Sequence, residues 1–271
     1  MFFLLFLPTV LANYSEMVRP NGPCYGEERD WNCVRSWDLE TYEKLGETDR
    51  YGFNKDEDHG SRSQTDLFDR SYNLSDTIPQ FASNYLVLDF PEELRTVIEW
   101  YKNNKQNSVN EIIPGHYSND KETDALSVLS LDKNKSMHQM IQKIMKPILA
   151  WWSGESEDDL EFQSLYGVRE YHRDSMMLFH LDRHNSHHIS AVVHLNQEGL
   201  EEGWPFSINI GDKVSEIFCT KPCLVLYESA KRFHGRVRRL QGDSYASCFI
   251  HYRFKEHLLQ QYKEQMKKDE L

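Results

Sequence analysis

The stretch FHLDRHNSHHISAVVHL, residues 179–195, contains five histidines and one aspartate within seventeen positions. Side chains at positions i and i+2 of a strand point to the same face, so His180 and Asp182 converge while Leu181 points away. One histidine and one carboxylate are two of the three protein ligands in a 2-His-1-carboxylate site, which leaves coordination positions open on non-haem iron. The second histidine has to come from elsewhere in the chain.

His234 is the best candidate for that second histidine. It lies in the segment YESAKRFHGR, residues 227–236, in which a strand-sized run is followed by glycine and arginine. His180, Asp182 and His234 are therefore a candidate metal centre.

A zinc site is the alternative, built from the other histidines of the stretch with or without His180. Histidines four residues apart converge on a helix, but the polar residues between them favour a turn. No glutamate stands where an H-E-x-x-H site carries its base. We therefore expect three histidines to lie in a loop or at the surface without a ligand role: His184, His187 and His188.

The chain on both sides of this stretch favours a β fold. Short runs of β-branched and aromatic residues, divided by Gly, Asp or Pro, cover residues 189–196, 205–210, 215–219, 223–229, 232–238 and 244–254. Regular short strands of this kind are typical of an all-β sandwich or barrel. We expect an α+β, mainly β protein, with a double-sheet core and N-terminal helices packed on it.

Two amphipathic helices precede the strands. Pro91 suits a first helical turn, and apolar residues then recur at helical spacing up to Tyr101. A second apolar stripe predicts a helix near residues 136–152, and we expect both stripes to pack in the core. The predicted division is a signal peptide (1–12), an irregular polar segment (13–80), a helical support region (81–155), the β core (156–254) and a C-terminal helix with its tail (255–271).

The net charge of −12 argues against nucleic acid or an anionic membrane as the principal partner, because neither finds a basic surface to bind. No apolar run after residue 12 approaches the length of a membrane span. We therefore expect a protein without a transmembrane segment.

The two ends of the sequence predict a compartment. The apolar segment MFFLLFLPTVLA, residues 1–12, resembles a short secretory signal, although no Lys or Arg follows Met1. The last four residues, Lys268 to Leu271, read K-D-E-L, the retrieval address of the endoplasmic reticulum. We expect a lumenal protein whose partners include the receptor for that address. Three sequons are compatible with glycosylation there; they begin at Asn13, Asn73 and Asn134.

The oxidising lumen also determines how the five cysteines are interpreted, because disulfides persist there. Cys24 is close in sequence to Cys33, and Cys219 is close to Cys223, so each pair could close locally and leave Cys248 unpaired. Four cysteines allow three connectivities, so local pairing is a hypothesis.

A family resemblance extends over a long tract. The segments LYGVREY, FHLDRHNSHHISAVVHLNQ, GWPFSI and KPCLVLYESAKRFHGRVRRLQGDSYASCFIHY follow one another in order between residues 165 and 253. They resemble the Fe(II)- and 2-oxoglutarate-dependent dioxygenases of the prolyl 4-hydroxylase type, especially a branch with H-x-D-R, L-Y-E-S and H-G-R signatures. The resemblance implies a double-stranded β-helix of the jelly-roll kind, with His180, Asp182 and His234 as iron ligands. It further implies 2-oxoglutarate and O2 as co-substrates, with ascorbate as an optional reductant.

The residue that binds the distal carboxylate of 2-oxoglutarate departs from the family pattern. Better-known members carry Arg or Lys roughly ten residues after the second histidine, where this chain has GDSYAS. Arg236 is the natural replacement because it shares the face of His234 if the strand is regular, and Arg238 is the runner-up by the same alternation. His194, where related enzymes often carry tyrosine, and Tyr171 are further candidates for contacts with the co-substrate.

Two functions from different classes follow. The resemblance implies a dioxygenase that hydroxylates a protein or peptide side chain in the lumen, with proline the first guess. The alternative is a catalytically inactive jelly-roll binding protein or folding factor, which the missing later base favours. An intact triad of ligands favours the enzyme, because a binding module does not need it.

Overall fold

The computed structural model describes residues 14–19, 32–38, 83–111, 126–132, 134–200 and 202–269. The strands in chain order are β1 (Asn32–Asp38), β2 (Tyr85–Asp89), β3 (Val109–Asn110), β4 (Leu126–Ser130), β5 (Leu160–Ser164), β6 (Gly167–His172), β7 (Met177–His180), β8 (Ile189–Glu198), β9 (Phe206–Ile210), β10 (Lys213–Cys219), β11 (Cys223–Tyr227), β12 (His234–Arg236) and β13 (Ser244–Phe254). The α-helices are α1 (Arg95–Asn104), α2 (Lys135–Ser153) and α3 (Glu256–Asp269), and short 3-10 turns cover Glu92–Leu94, Lys105–Asn107 and Glu157–Asp159.

The strands form two antiparallel sheets. A five-stranded sheet has the order β1-β10-β9-β12-β7, and an eight-stranded sheet has the order β2-β11-β8-β13-β6-β4-β3, with β5 added beside β13. The predicted double-sheet β fold is confirmed, and all six strand-sized segments predicted between residues 189 and 254 are strands.

Strand β8 shows how the sequence divides between two cores. Seven consecutive residues from Ile189 are buried, because the strand is covered on both faces. Its odd-numbered residues, such as Ala191 and Val193, pack with α2 residues on the helical side. Val192 packs instead between the sheets with Phe206. The same alternation turns the polar residues at 190 and 194 toward the space between the sheets.

The helices cover the outer face of the eight-stranded sheet. α1 follows the turn that begins after Pro91, and it buries Val97 and Tyr101. α2 covers the predicted second helix, and Asn134 caps its N-terminus by accepting a hydrogen bond from the Met137 backbone at 3.2 Å. None of the described helices combines the length and the apolar character that a bilayer span requires.

Strands outside the predicted β core complete both sheets. β1 pairs with β10, and Trp37 donates a hydrogen bond to the Glu216 carboxylate at 3.0 Å. The interval predicted as helical support also contributes β2, β3 and β4 to the eight-stranded sheet. The signal segment at 1–12 and the sequons at Asn13 and Asn73 lie outside the described residues.

One predicted disulfide is wrong. Cys219 and Cys223 are free, buried thiols in the structure, and Cys248 is free as predicted. Burial and the neighbouring Cys219 thiol raise the pKa of Cys223 well above its usual range, which disfavours the thiolate that oxidation requires. Cys33 is disulfide-bonded, and its predicted partner Cys24 lies outside the described residues.

Candidate metal centre

The H-x-D pair lies at the end of β7, an edge strand of the five-stranded sheet. His180 is the last residue of β7, and the backbone N–H of Asp182 donates to the Ser229 carbonyl at 3.0 Å. Ser229 is itself placed by a turn in which the buried Glu228 carboxylate pairs with Arg232 at 2.9 Å. The L-Y-E-S segment therefore fixes the backbone that carries the aspartate.

His234 reaches the same point from the neighbouring strand. β12 runs antiparallel to β7 with His234 opposite His180, which brings the two ring centroids to 4.4 Å. The Nδ1–H of His234 donates to the Arg232 carbonyl at 2.8 Å, since a carbonyl oxygen only accepts. The Nε2 lone pair of His234 therefore remains available to a metal.

The three side chains converge. Each offers a ligand atom within 4.8 Å of the others. Nε2 of His180 is 3.8 Å from Asp182 Oδ1, and Nε2 of His234 is 3.8 Å from Asp182 Oδ2. The structure thus brings together all three predicted ligands.

The electrostatics of this cluster fit a divalent cation. Asp182 Oδ2 is buried and has no hydrogen-bond partner among the described residues. Burial raises the pKa of Asp182 to about 7, opposed by the Ser229 hydroxyl and by Arg169. Burial, and then nearby His180, lower the pKa of His234 well below its usual range, so its ring is neutral. A cation would compensate the buried carboxylate and accept the imidazole lone pair.

The other histidines of the stretch have protein partners. His188 donates from Nε2 to the His184 carbonyl at 2.9 Å, and its Nδ1 accepts from the Phe254 backbone at 3.0 Å. The two ring nitrogens of His187 lie at hydrogen-bond distance from the hydroxyls of Ser186 and Ser164. The expected loop is present, but His187 and His188 are buried, and in the described ranges only the His180, Asp182 and His234 group has metal-ligand spacing.

Arg236 lies between the sheets, in a mostly aromatic environment. It is only 2% exposed, donates to the Trp204 carbonyl, and donates to the Tyr245 hydroxyl at 2.8 Å. Its guanidinium lies 4.3 Å from the Tyr245 ring centroid and 4.9 Å from that of Trp204. No carboxylate of the described chain forms an ion pair with it. A buried guanidinium without a counter-ion is a suitable partner for a ligand carboxylate.

Arg236 and His234 face the same interior. The Phe206 ring lies 5.8 Å from the His234 ring and 5.8 Å from the Arg236 guanidinium. Arg238 is placed differently, because both arms of its guanidinium bind the buried Glu216 carboxylate at 2.5 and 2.6 Å. The structure brings Arg236 to the site and keeps Arg238 in a structural ion pair.

His194 and Tyr171 also lie beside Arg236. The His194 ring stacks on Tyr245 at 4.4 Å, and its Nδ1–H donates to the Lys221 carbonyl at 3.1 Å. Burial, and then Arg236, lower the pKa of His194 to about 3. His194 Nε2 and the Tyr171 hydroxyl are buried without a hydrogen-bond partner in the described residues.

Sequence reasoning missed His251, Tyr245 and Trp204. Nδ1 of His251 is 3.5 Å from Asp182 Oδ2, and the rings of Tyr245 and Trp204 flank Arg236. The alternation of β13 was the available signal, because its odd-numbered residues face the space between the sheets while even-numbered ones such as Ile250 pack with the helices.

Comparisons with known proteins give a fold. No protein-family model and no curated protein sequence matches this chain. The prolyl hydroxylase of Trichoplax adhaerens, solved with a peptide fragment of the hypoxia-inducible factor oxygen degradation domain, superposes with a TM-score of 0.50 at 12% identity, over 74% of this chain and 96% of that one. The chain shares the fold of this hydroxylase.

Further solved structures are similar to this chain at lower scores. A Pseudomonas putida prolyl-4-hydroxylase has a TM-score of 0.48 and 16% identity, covering 70% of this chain and 99% of its own. The collagen prolyl hydroxylase of Paramecium bursaria Chlorella virus-1, in complex with 2-oxoglutarate, has a TM-score of 0.45 and 12% identity, covering 64% and 98%. At such identities the likeness concerns the fold, so function has to be argued from the site.

Proposed function

We propose that this chain is an Fe(II)- and 2-oxoglutarate-dependent dioxygenase. The observation that carries the proposal is the convergence of His180, Asp182 and His234 in an interior that also buries Arg236 without a carboxylate partner. A cation and a dicarboxylate would each satisfy charges that the described residues leave uncompensated. The prolyl hydroxylase fold and the motif resemblance support the same reading.

The residues of the chain take distinct roles in this proposal. His180, Asp182 and His234 hold the metal through two neutral imidazoles and one carboxylate, which leaves positions for ligands that are not protein. When bound, iron with 2-oxoglutarate and O2 supplies the oxidation of a C–H bond, with succinate and CO2 as co-products. Arg236 pairs with the distal carboxylate of the keto acid through its planar fork.

The surroundings of Arg236 strengthen that pairing. Trp204, Phe206 and Tyr245 enclose the guanidinium, so water does not screen its charge. The Tyr171 hydroxyl is a nearby buried donor that has no acceptor among the described residues. We assign this hydroxyl a hydrogen bond to the co-substrate. We assign His194 a packing role, in which its ring stacks on Tyr245 and holds that tyrosine in place.

The substrate in this proposal is a protein or peptide side chain, with proline first. The support is the fold shared with a prolyl hydroxylase that was solved with a peptide. The compartment is the lumen of the endoplasmic reticulum, on the strength of the apolar segment 1–12 and the K-D-E-L sequence at 268–271. The receptor that reads this sequence is the corresponding partner.

An anaerobic titration tests the chemistry. Full-length protein with Fe(II) and 2-oxoglutarate should develop a weak visible metal-to-ligand charge-transfer band. His180→Ala should abolish the band, because it removes one ligand. His184→Ala is the matched control, since His184 is an exposed histidine of the same loop, and this variant should keep the band. Absence of a band in the wild type, with zinc tightly bound instead, would contradict the proposal.

Mass spectrometry tests the substrate and the compartment. Lumenal proteins from cells with the enzyme should carry residues with one added oxygen that are absent from cells expressing His180→Ala. Replacing residues 268–271 with alanines should release the protein into the medium. A hydroxylated small molecule, with unmodified lumenal proteins, would overturn the protein-substrate assignment.

A further inference from the structure

His251 lies beside the proposed metal centre without a role in it. The residue is on β13, faces the space between the sheets and is buried. Its Nδ1 is 3.5 Å from Asp182 Oδ2, the carboxylate oxygen without a hydrogen-bond partner in the described chain. His251 is therefore a polar neighbour of the aspartate that the proposed metal centre does not use.

A chain of hydroxyl groups fixes which nitrogen of His251 carries the proton. The Ser229 hydroxyl donates to the His187 carbonyl at 2.7 Å, so its oxygen is left to accept. Ser190 lies 2.6 Å from Ser229 and therefore donates to it. Nδ1 of His251 lies 2.6 Å from the Ser190 oxygen, whose own proton is already used, so Nδ1–H is the donor.

The same contacts hold the imidazole in place. The His251 ring stacks on the His187 ring with centroids 4.2 Å apart, and Ser190 fixes its edge. The backbone carbonyl of Ser229 also accepts a hydrogen bond from the backbone N–H of Asp182. One residue thus links the backbone of the aspartate to the hydrogen-bond chain that ends at His251.

We propose that His251 is a positioning residue for Asp182: its Nδ1–H, which Ser190 accepts, places the positive edge of the ring 3.5 Å from the carboxylate oxygen that faces His234. This inference rests on the proposed metal site. A carboxylate turns easily about its terminal bond, and a fixed positive dipole on one side keeps both oxygens directed at the ligand cluster. Partners of this kind typically change metal affinity about 10- to 100-fold when they are removed.

Metal titration of full-length variants tests the proposal. Mn(II) binding is measured by calorimetry, with thermal unfolding of each variant alongside. An asparagine amide nitrogen can take the place of Nδ1, whereas a glutamine amide nitrogen falls nearer Nε2. His251→Gln should raise the Mn(II) dissociation constant about 10- to 100-fold, and His251→Asn should stay within about threefold of the wild type.

His188→Gln is the matched control. His188 is another buried histidine of the neighbouring loop, but its nitrogens bind the His184 carbonyl and the Phe254 backbone instead of Asp182. The control should lower the melting temperature and leave Mn(II) affinity unchanged. A general loss of packing would weaken binding equally in His188→Gln and His251→Gln.

The outcomes separate the two levels of the proposal. Equal Mn(II) affinity in wild type, His251→Asn and His251→Gln would overturn the positioning role alone. Failure of the wild type to bind Mn(II) at one site would overturn the metal centre and this inference with it. If the His251 variants do not fold, Ser190→Ala decides. Loss of the acceptor that keeps the proton on Nδ1 should raise the dissociation constant about tenfold, and unchanged affinity would overturn the inference.

Discussion

Two buried polar regions lie side by side in this protein and differ in how their groups are satisfied. In the loop that carries His187 and His188, every ring nitrogen of these two residues has a protein partner. In the site interior, defined by Asp182, Arg236, His194 and Tyr171, three buried polar atoms have no partner among the described residues. Since buried polar groups are normally paired, the first region is structural and the second is arranged for ligands.

The two arginines near His234 repeat this difference. Arg238 and Glu216 neutralise each other in two short hydrogen bonds. Arg236 is more deeply buried, yet its partners are a carbonyl, a hydroxyl and aromatic rings. Two chemically identical side chains two residues apart therefore differ in their surroundings, and the proposed function assigns Arg238 to stability and Arg236 to binding.

The largest expected effect is on co-substrate binding. Arg236→Gln should raise the 2-oxoglutarate requirement about 100-fold, because losing a charge-assisted pair with a carboxylate costs about 3 kcal/mol. Metal affinity should survive, since His180, Asp182 and His234 are retained. Steady-state kinetics against 2-oxoglutarate, with a separate Mn(II) titration, measure the two quantities.

Arg238→Gln is the control for that comparison. It should change the 2-oxoglutarate requirement less than about threefold, because its partner is Glu216. An unchanged requirement in Arg236→Gln, with a large change in Arg238→Gln, would reverse the assignment of the two arginines.

Stability should show the opposite order. Arg238→Gln removes the two short hydrogen bonds that the guanidinium donates to the buried Glu216 carboxylate. Breaking a buried ion pair typically costs 3–5 kcal/mol, and the partial exposure of Arg238 reduces this to about 3 kcal/mol. Urea unfolding measures the loss. Arg253→Gln, which removes an exposed pair with Glu161, should cost less than about 1 kcal/mol, and equal losses in both variants would contradict the distinction.

The strands and the ligand spacing could be predicted because they depend on local pattern. Alternation between buried and polar positions predicts β8 and β13, and the i, i+2 rule places His180 beside Asp182. The register of β12 against β7, which brings His234 to that pair, depends on contacts distant in sequence. Local pattern made His234 a candidate, and the family resemblance implied the same ligand, but neither supplied the register.

The choice between the two arginines shows the limit of the alternation rule. The rule assigns Arg236 and Arg238 to one face, but β12 ends at Arg236, and its pairing with β7 is irregular after His234. Arg238 therefore leaves the sheet and meets Glu216 on β10, a partner that no local pattern indicates. The positions of β1 and β2 were missed for the same reason, because their pairing strands lie more than a hundred residues away.

The smallest expected effect concerns the pH dependence of stability and tests the satisfied region. Burial is the main cause that lowers the pKa of His188 to about 4 in the folded protein, whereas a histidine in the unfolded chain has a pKa near 6.5. Below pH 6.5 the unfolded state binds a proton that the folded state refuses, so this residue makes stability fall as pH falls toward 4. Between pH 6.5 and 5 the loss should reach about 1.5 kcal/mol. Urea unfolding at both pH values measures this loss of stability. The loss should be smaller in His188→Gln than in the wild type, and it should be unchanged in His184→Gln, which alters an exposed residue of the same loop. An identical pH slope in wild type and His188→Gln would mean that His188 is protonated in the folded protein, and the loop would then join the site interior as a region with uncompensated charge.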